Sequence, residues 1–112
     1  MAKFETTLRG SLEQWIRRIE DGILHGSVSA SLEDGSDFIS ADGQTRCSLR
    51  VFERYSYVGG NRVSLSVMLC QEVGGLVFCS AITSGGSRAT FFKINTIGER
   101  TFLDCLREIV GC

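Results

Sequence analysis

One carboxylate and a ladder of arginines are the residues best placed to do chemistry. Glu53 shares the parity of Val51 and Tyr55 in an alternating stretch from Cys47 to Tyr57. That parity puts it on the apolar face, opposite Leu65, where a carboxyl has a raised pKa suited to a general acid or base. The plainer alternative is a strand-end residue that reaches solvent or pairs with an arginine. Arg46, Arg50 and Arg54 recur every four residues on the opposite face, with Arg62 near the same hairpin end. Guanidinium groups in that spacing can clamp phosphate or carboxylate. As surface ion pairs, Arg46 with Glu72 foremost, each is worth only about 0–1 kcal/mol. Thr83-Ser84-Gly85-Gly86-Ser87 offers backbone amides to an anion, but it is no Walker sequence and a hairpin turn also explains its glycines.

The other reactive side chains exclude more than they offer. Cys47, Cys70, Cys79, Cys105 and Cys112 form no C-x-x-C pair, against both a zinc site and a secreted disulfide framework. Cys70 and Cys79 are expected opposite one another across a hairpin and would pair if oxidised. His25, the only histidine, closes a helix, so no hydrolase triad is visible. Asp34, Asp37 and Asp42 resemble a calcium loop in composition but not in ligand order. Neither a metal nor a cofactor is expected.

The elements that position these residues read clearly in outline. Lys3 to Leu8 alternates as a short strand. Ser11 to Gln14 is a capping box, and Leu12, Trp15, Ile16, Ile19 and Ile23 give one helical face, predicting a helix from Leu12 to Leu24. Ser27 to Leu32 reads as a half-buried strand and Glu33 to Gln44 as a long loop. Four strands then follow between glycine pairs, the last from Ser87 to Ile94. Thr96-Ile97-Gly98-Glu99 opens a final helix that Gly111 caps. The fold class is α+β: a mainly antiparallel sheet of five to six strands in the order β-α-β-β-β-β-β-α, with both helices on one face.

Turn geometry sets the faces. If Tyr57 opposes Asn61, Val73 opposes Leu76 and Ser84 opposes Ser87, the core face carries Val51, Leu65, Phe78, Ile82 and Ala89. The outer face then carries Phe52, Met68, Val77, Cys79, Ala81, Phe92 and Ile94 beside the arginines. That is too apolar for a surface facing water, so it is expected to wall a pocket or to pair with a second copy.

At 112 residues the chain is one domain, residues 1–112. It is 43% hydrophobic and 22% charged, too apolar for intrinsic disorder. A net charge of -1 argues against nucleic acid as partner. No window reaches the roughly 20 apolar residues of a membrane span, and Met1-Ala2-Lys3-Phe4-Glu5 is no signal peptide. A cytoplasmic setting is expected.

Two resemblances bear on identity. The element order resembles a shortened helix-grip fold, as in the Bet v 1 and polyketide-cyclase-like superfamily. Those proteins enclose ligands between a curved sheet and a long C-terminal helix; the helix expected here is too short for a large cavity. The stretches Ser29–Asp34, Arg50–Leu65, Ser80–Ser87 and Phe91–Thr96 resemble a family of small single-domain bacterial proteins of unknown function, found mainly in Firmicutes. That resemblance implies a bacterial cytoplasmic protein and no known activity.

The leading expectation is a non-enzymatic binding or assembly domain, homodimeric through its outer sheet face, with Arg50, Phe52, Met68, Cys79 and Phe92 at the interface. The alternative is a carrier or enzyme for a small anionic or amphipathic ligand. Its pocket near the 55–62 hairpin would use Glu53, Arg54, Tyr55, Arg62, Ser84, Gly85, Gly86 and Ser87. A nucleic-acid module comes third.

Overall fold

The computed structural model describes residues 1–55, 62–85 and 92–111, with backbone alone for 92–99. Strand β1 (Ala2–Leu8) leads into helix α1 (Leu12–Gly26). Strands β2 (Ser31–Ile39), β3 (Thr45–Tyr55), β4 (Arg62–Glu72) and β5 (Val77–Gly85) follow, and helix α2 (Phe92–Val110) ends the chain. The α+β class and the order of a strand, a helix, a run of strands and a closing helix are as expected. All five strands are antiparallel neighbours in the order β1-β5-β4-β3-β2.

Helix α1 forms for the reason its sequence gives. The Ser11 hydroxyl accepts from the Gln14 amide at 3.2 Å while Gln14 Oε1 accepts from the Ser11 amide. Leu12, Trp15, Ile16, Ile19 and Ile23 are all buried. At the other end His25 Nδ1 lies 2.9 Å from the Asp21 carbonyl, a contact that requires an Nδ1–H donor. Gly22 marks the close approach of α2, since a Cβ there would lie 2.5 Å from Ile109 Cδ1.

Gln71 joins the start of this helix to the sheet. Its carboxamide accepts from the Leu12 amide at 3.1 Å and donates to the Gly10 and Gly75 carbonyls at 2.8 and 2.9 Å. Three connections meet on one side chain. Gln71→Ala is therefore expected to cost about 1.5–4.5 kcal/mol in a urea melt, at about 0.5–1.5 kcal/mol for each net hydrogen bond.

Four expectations need correction. The stretch Ser27 to Ala30 is a turn, with the Ala30 amide donating to the Ser27 carbonyl and Val28 fully exposed. The strand is instead Ser31–Ile39, taken from the sequence as a loop. Its acidic residues disguise it, yet an edge strand gains by them. Glu33, Asp34 and Asp37, with a bulge between Leu32 and Asp34, make the edge a poor template for another chain. Helix α2 begins at Phe92, so Phe92 and Ile94 are helical rather than in a sixth strand. Its 19 residues also place Thr96-Ile97-Gly98-Glu99 inside the helix, not at its start.

The fourth correction concerns register. Phe52, not Glu53, stands opposite Leu65, and Leu69 opposes Cys79. Both hairpins are shifted by one residue from expectation, which turns β3 and β5 over. The β4–β5 connection shows why. Glu72 accepts from the Gly75 amide at 2.9 Å around a left-handed Gly74 (φ 76°), the conformation a type II turn requires at its third position. The last paired residues are Gln71 and Val77, so five residues intervene, not two. The expected turns at 58–60 and 85–86 fall on or against residues outside those described.

The core consequently holds Phe52, Val63, Leu65, Val67, Leu69, Val77, Cys79, Ala81 and Thr83 from the sheet. Helix α2 contributes Phe102, Leu103, Leu106 and Val110, and α1 its five-residue face. Both helices pack on that side. The other sheet face is open.

Candidate functional site

The arginine ladder faces the helices. Because Arg46, Arg50 and Arg54 have the parity of Phe52, each stem crosses the inner layer and each guanidinium finds a helix. Arg46 forms an ion pair with Glu13 at the start of α1. Arg50 Nε donates to Glu20 Oε2 at 3.1 Å and its Nη1 to Asp37 Oδ1 at 3.1 Å. Arg54 Nη1 donates to Cys105 Sγ at 3.4 Å, and its Cζ sits 4.4 Å from the centre of the Phe102 ring. The expected Arg46–Glu72 pair does not form, since Arg46 stands opposite Gln71.

Arg50 is the best built of the three. Gly35 lies directly across from it, and a Cβ there would come within 2.9 Å of Arg50 Cδ. Burial works against the Arg50 charge, but hydrogen bonds to Asp37 and Glu20 outweigh it and raise the pKa. Asp37 is in turn held below the usual carboxylate range, first by the Ser48 hydroxyl at 2.6 Å and then by Arg50. A depressed pKa contributes stability above the unfolded value and loses it as pH falls through the folded one. The effect on stability is small because Asp37 is two-thirds exposed. An NMR titration should place the Asp37 carboxyl below its ordinary value. Ser48→Ala and Arg50→Gln should each move it back up.

Between α1 and β3 these groups line a cleft of about 320 Å³, with Arg17, Arg46 and Arg50 facing Glu13 and Asp37 over Leu12 and Ile16. The size suits a small ligand. Two of its cations, Arg46 and Arg50, are however already paired with Glu13, Glu20 and Asp37, and the Arg17 Nε–H donates to the Glu13 backbone carbonyl. The ladder thus fastens helices to the sheet.

The residues predicted around the 55–62 hairpin divide between two faces. Glu53, Tyr55 and Arg62 meet on the open side. Arg62 Nη2 lies 2.5 Å from Glu53 and 3.7 Å from Glu33, with its Cζ 5.7 Å from the Tyr55 ring centre. Glu53 opposes Ser64 rather than Leu65, so the premise of a buried acid fails and the arginine-paired alternative is what forms. Arg54 points the other way and is 7% exposed. Ser84 pairs with Ser64, Gly85 with Val63, and Gly86 and Ser87 lie outside the described residues.

The expected interface residues also separate. Phe52 and Cys79 are fully buried against the helices, and Arg50 is on their side. Phe92 opens α2, its side chain outside those described. Only Met68 belongs to the open face, at 40% exposure. Large apolar side chains do stand on that face, but apart from Met68 they are not the ones expected. Phe38, Leu49, Phe78 and Ile82 join Met68 on it, and Val51, Cys47 and Cys70 fill the spaces between. Sequence parity could have found Phe78 and Ile82 had the turn been read with an odd number of residues. Phe38 was hidden in the apparent loop.

The acidic stretch binds within itself. Asp34 accepts from the Gly35 amide at 2.8 Å, and Asp42 from the Ser40 hydroxyl at 2.6 Å and the Gln44 amide at 3.0 Å. Among the described residues no three His, Cys, Asp or Glu side chains converge as a metal site. Nor, among those residues, is any helix long and apolar enough to cross a membrane.

A model of a protein family of unknown function, DUF6054, matches residues 1–111. The chain belongs to this family. No curated protein and no solved structure matches it. For a DUF6054 protein, function must therefore be argued from the geometry just described, and that geometry singles out the open face.

Proposed function

We propose that this chain is a non-enzymatic assembly domain of the cytoplasm. Its open sheet face packs against the same face of a second copy, leaving the helices outermost. One observation carries the reading: Phe38, Leu49, Met68, Phe78 and Ile82 remain 40–62% exposed on one contiguous face. A sheet surface left to water turns polar residues outward, whereas this one sets five large apolar side chains among Ser36, Ser66 and Ser80.

Size and charge favour a second copy as occupant. Five strands of these lengths present a face of roughly 24 × 30 Å at ordinary strand spacing. That is close to the ~800 Å² per partner of a standard interface. Its rim carries both signs, Lys3 and Glu5 on one edge strand and Arg62 with Glu53 and Glu33 at the far end. A self-complementary surface suits a twofold dimer, in which each patch meets its own copy. The acidic, bulged β2 edge meanwhile disfavours joining sheets side by side.

Native mass spectrometry and light scattering test this directly. The wild type should be a dimer. Met68→Asp and Ile82→Asp should each give a monomer with an unchanged far-ultraviolet circular dichroism spectrum. A wild-type monomer across the accessible concentration range overturns the reading, as do variants that stay dimeric. The small-ligand alternative has weaker support, because Glu53 and Arg62 already neutralise one another. The nucleic-acid alternative has the same weakness, since the ladder arginines are turned inward.

A further inference from the structure

The corrected register brings together two cysteines that the sequence kept apart. Cys47 and Cys70 are directly opposite on β3 and β4, both half-buried, on the open face. Their row across the sheet reads Phe38, Cys47, Cys70, Phe78, Thr7. The pairing with Cys79 anticipated from sequence is excluded, since Cys79 points to the helices from the other face.

Geometry favours a bond between them. Directly opposed residues of an antiparallel pair hold their Cβ atoms about 4.5–5.5 Å apart. A disulfide takes a Cβ separation of about 3.5–4.5 Å and Cα atoms about 4.4–6.8 Å apart. Rotamer adjustment and a small approach of two paired strands suffice. Burial first, and then the Cys47 thiol beside it, push the Cys70 thiol up to about 11.

We propose that Cys47 and Cys70 are a redox-convertible pair that closes to an intramolecular cross-strand disulfide on the open face, two residues from the end of β4. With glutathione disulfide as oxidant, the Cys47 thiolate attacks one glutathione sulfur, and the other glutathione leaves as a thiolate. Cys70 then gives up its proton and attacks Cys47 Sγ, expelling the second glutathione. Two protein thiols are oxidised to one disulfide, one glutathione disulfide is reduced to two thiols, and the two protons end on glutathione. The same exchange balances with the two cysteines in each other's place. The bond fixes the β3–β4 register on the surface assigned above to assembly. That consequence alone rests on the dimer reading, in which a partner copy shields both sulfurs.

The test uses the full chain in a glutathione and glutathione disulfide buffer, quenched in acid for intact mass and peptide mapping. Ile82→Asp, which leaves the cysteine row untouched, is run beside the wild type, and native mass gives the oligomeric state of both. Closure appears as the loss of two hydrogens and a Cys47–Cys70 cross-linked peptide. Cys47→Ser abolishes it, and Cys70→Ser halts at a glutathione adduct on Cys47. Closure in both proteins supports the pair whatever the oligomeric state. Closure in Ile82→Asp alone supports it with shielding by the dimer. Stable glutathione adducts without closure, a disulfide between two chains, or no reaction in Ile82→Asp overturns it. A wild-type monomer that still closes the bond separates the two readings, refuting assembly and retaining the pair.

Discussion

Phe52→Ala is expected to cost about 3–5 kcal/mol in a urea unfolding experiment, and Phe52→Asp to leave the chain unfolded. Phe52 has no exposed surface and sits opposite Leu65 beneath both helices, so truncation leaves a cavity that surrounding side chains cannot fill. A total stability of ~5–15 kcal/mol tolerates the first change narrowly and the second not at all. Met68→Asp is the contrasting case. Met68 lies on the other face, opposite Leu49, and a carboxylate there meets solvent when the partner copy is absent. Its circular dichroism spectrum should match the wild type. The opposite result, a folded Phe52→Asp protein with an unfolded Met68→Asp one, would mean that the sheet packs with its faces reversed.

Arg54 gives the second large effect, and its sign depends on the replacement. Arg54 is 7% exposed, its guanidinium stacked on Phe102 and donating to Cys105. Arg54→Ala removes a desolvated cation–π contact and the packing of a long stem, together about 2–4 kcal/mol. Arg54→Met keeps much of the volume and avoids burying a charge, so its stability should equal or exceed that of the wild type. Urea midpoints of the three proteins decide the matter. If methionine is as damaging as alanine, the charge itself is required, and an anion-binding role for the inner end of the ladder would replace the structural one.

These two cases show how the arginine ladder misleads a reader of the sequence. Cys47, Leu49, Val51 and Tyr55 form the more apolar half of β3, while the other half carries three arginines and Ser48. Apolarity alone buries the first set. The folded chain turns the second toward the helices, because Glu13, Glu20, Asp37, Phe102 and Cys105 stand ready to receive the guanidinium groups. Arginine can line an inner layer by laying its methylenes on apolar neighbours and passing its charge to a partner. None of those partners is local to β3.

The sequence by itself determined the α+β class, the antiparallel sheet, the two helices and the box that starts α1. Each depends on the period of apolar residues or on contacts within a few residues, such as Ser11 with Gln14. Tertiary structure alone decided which face of β3 and β5 turns inward, and with it the place of every candidate site residue on those strands. Parity passes from strand to strand through turns, and a turn of five residues in place of two inverts all that follows. What settles the inversion is the fit of long-range partners: Phe52 against Leu65, Arg50 across Gly35 to Glu20, and Cys47 beside Cys70.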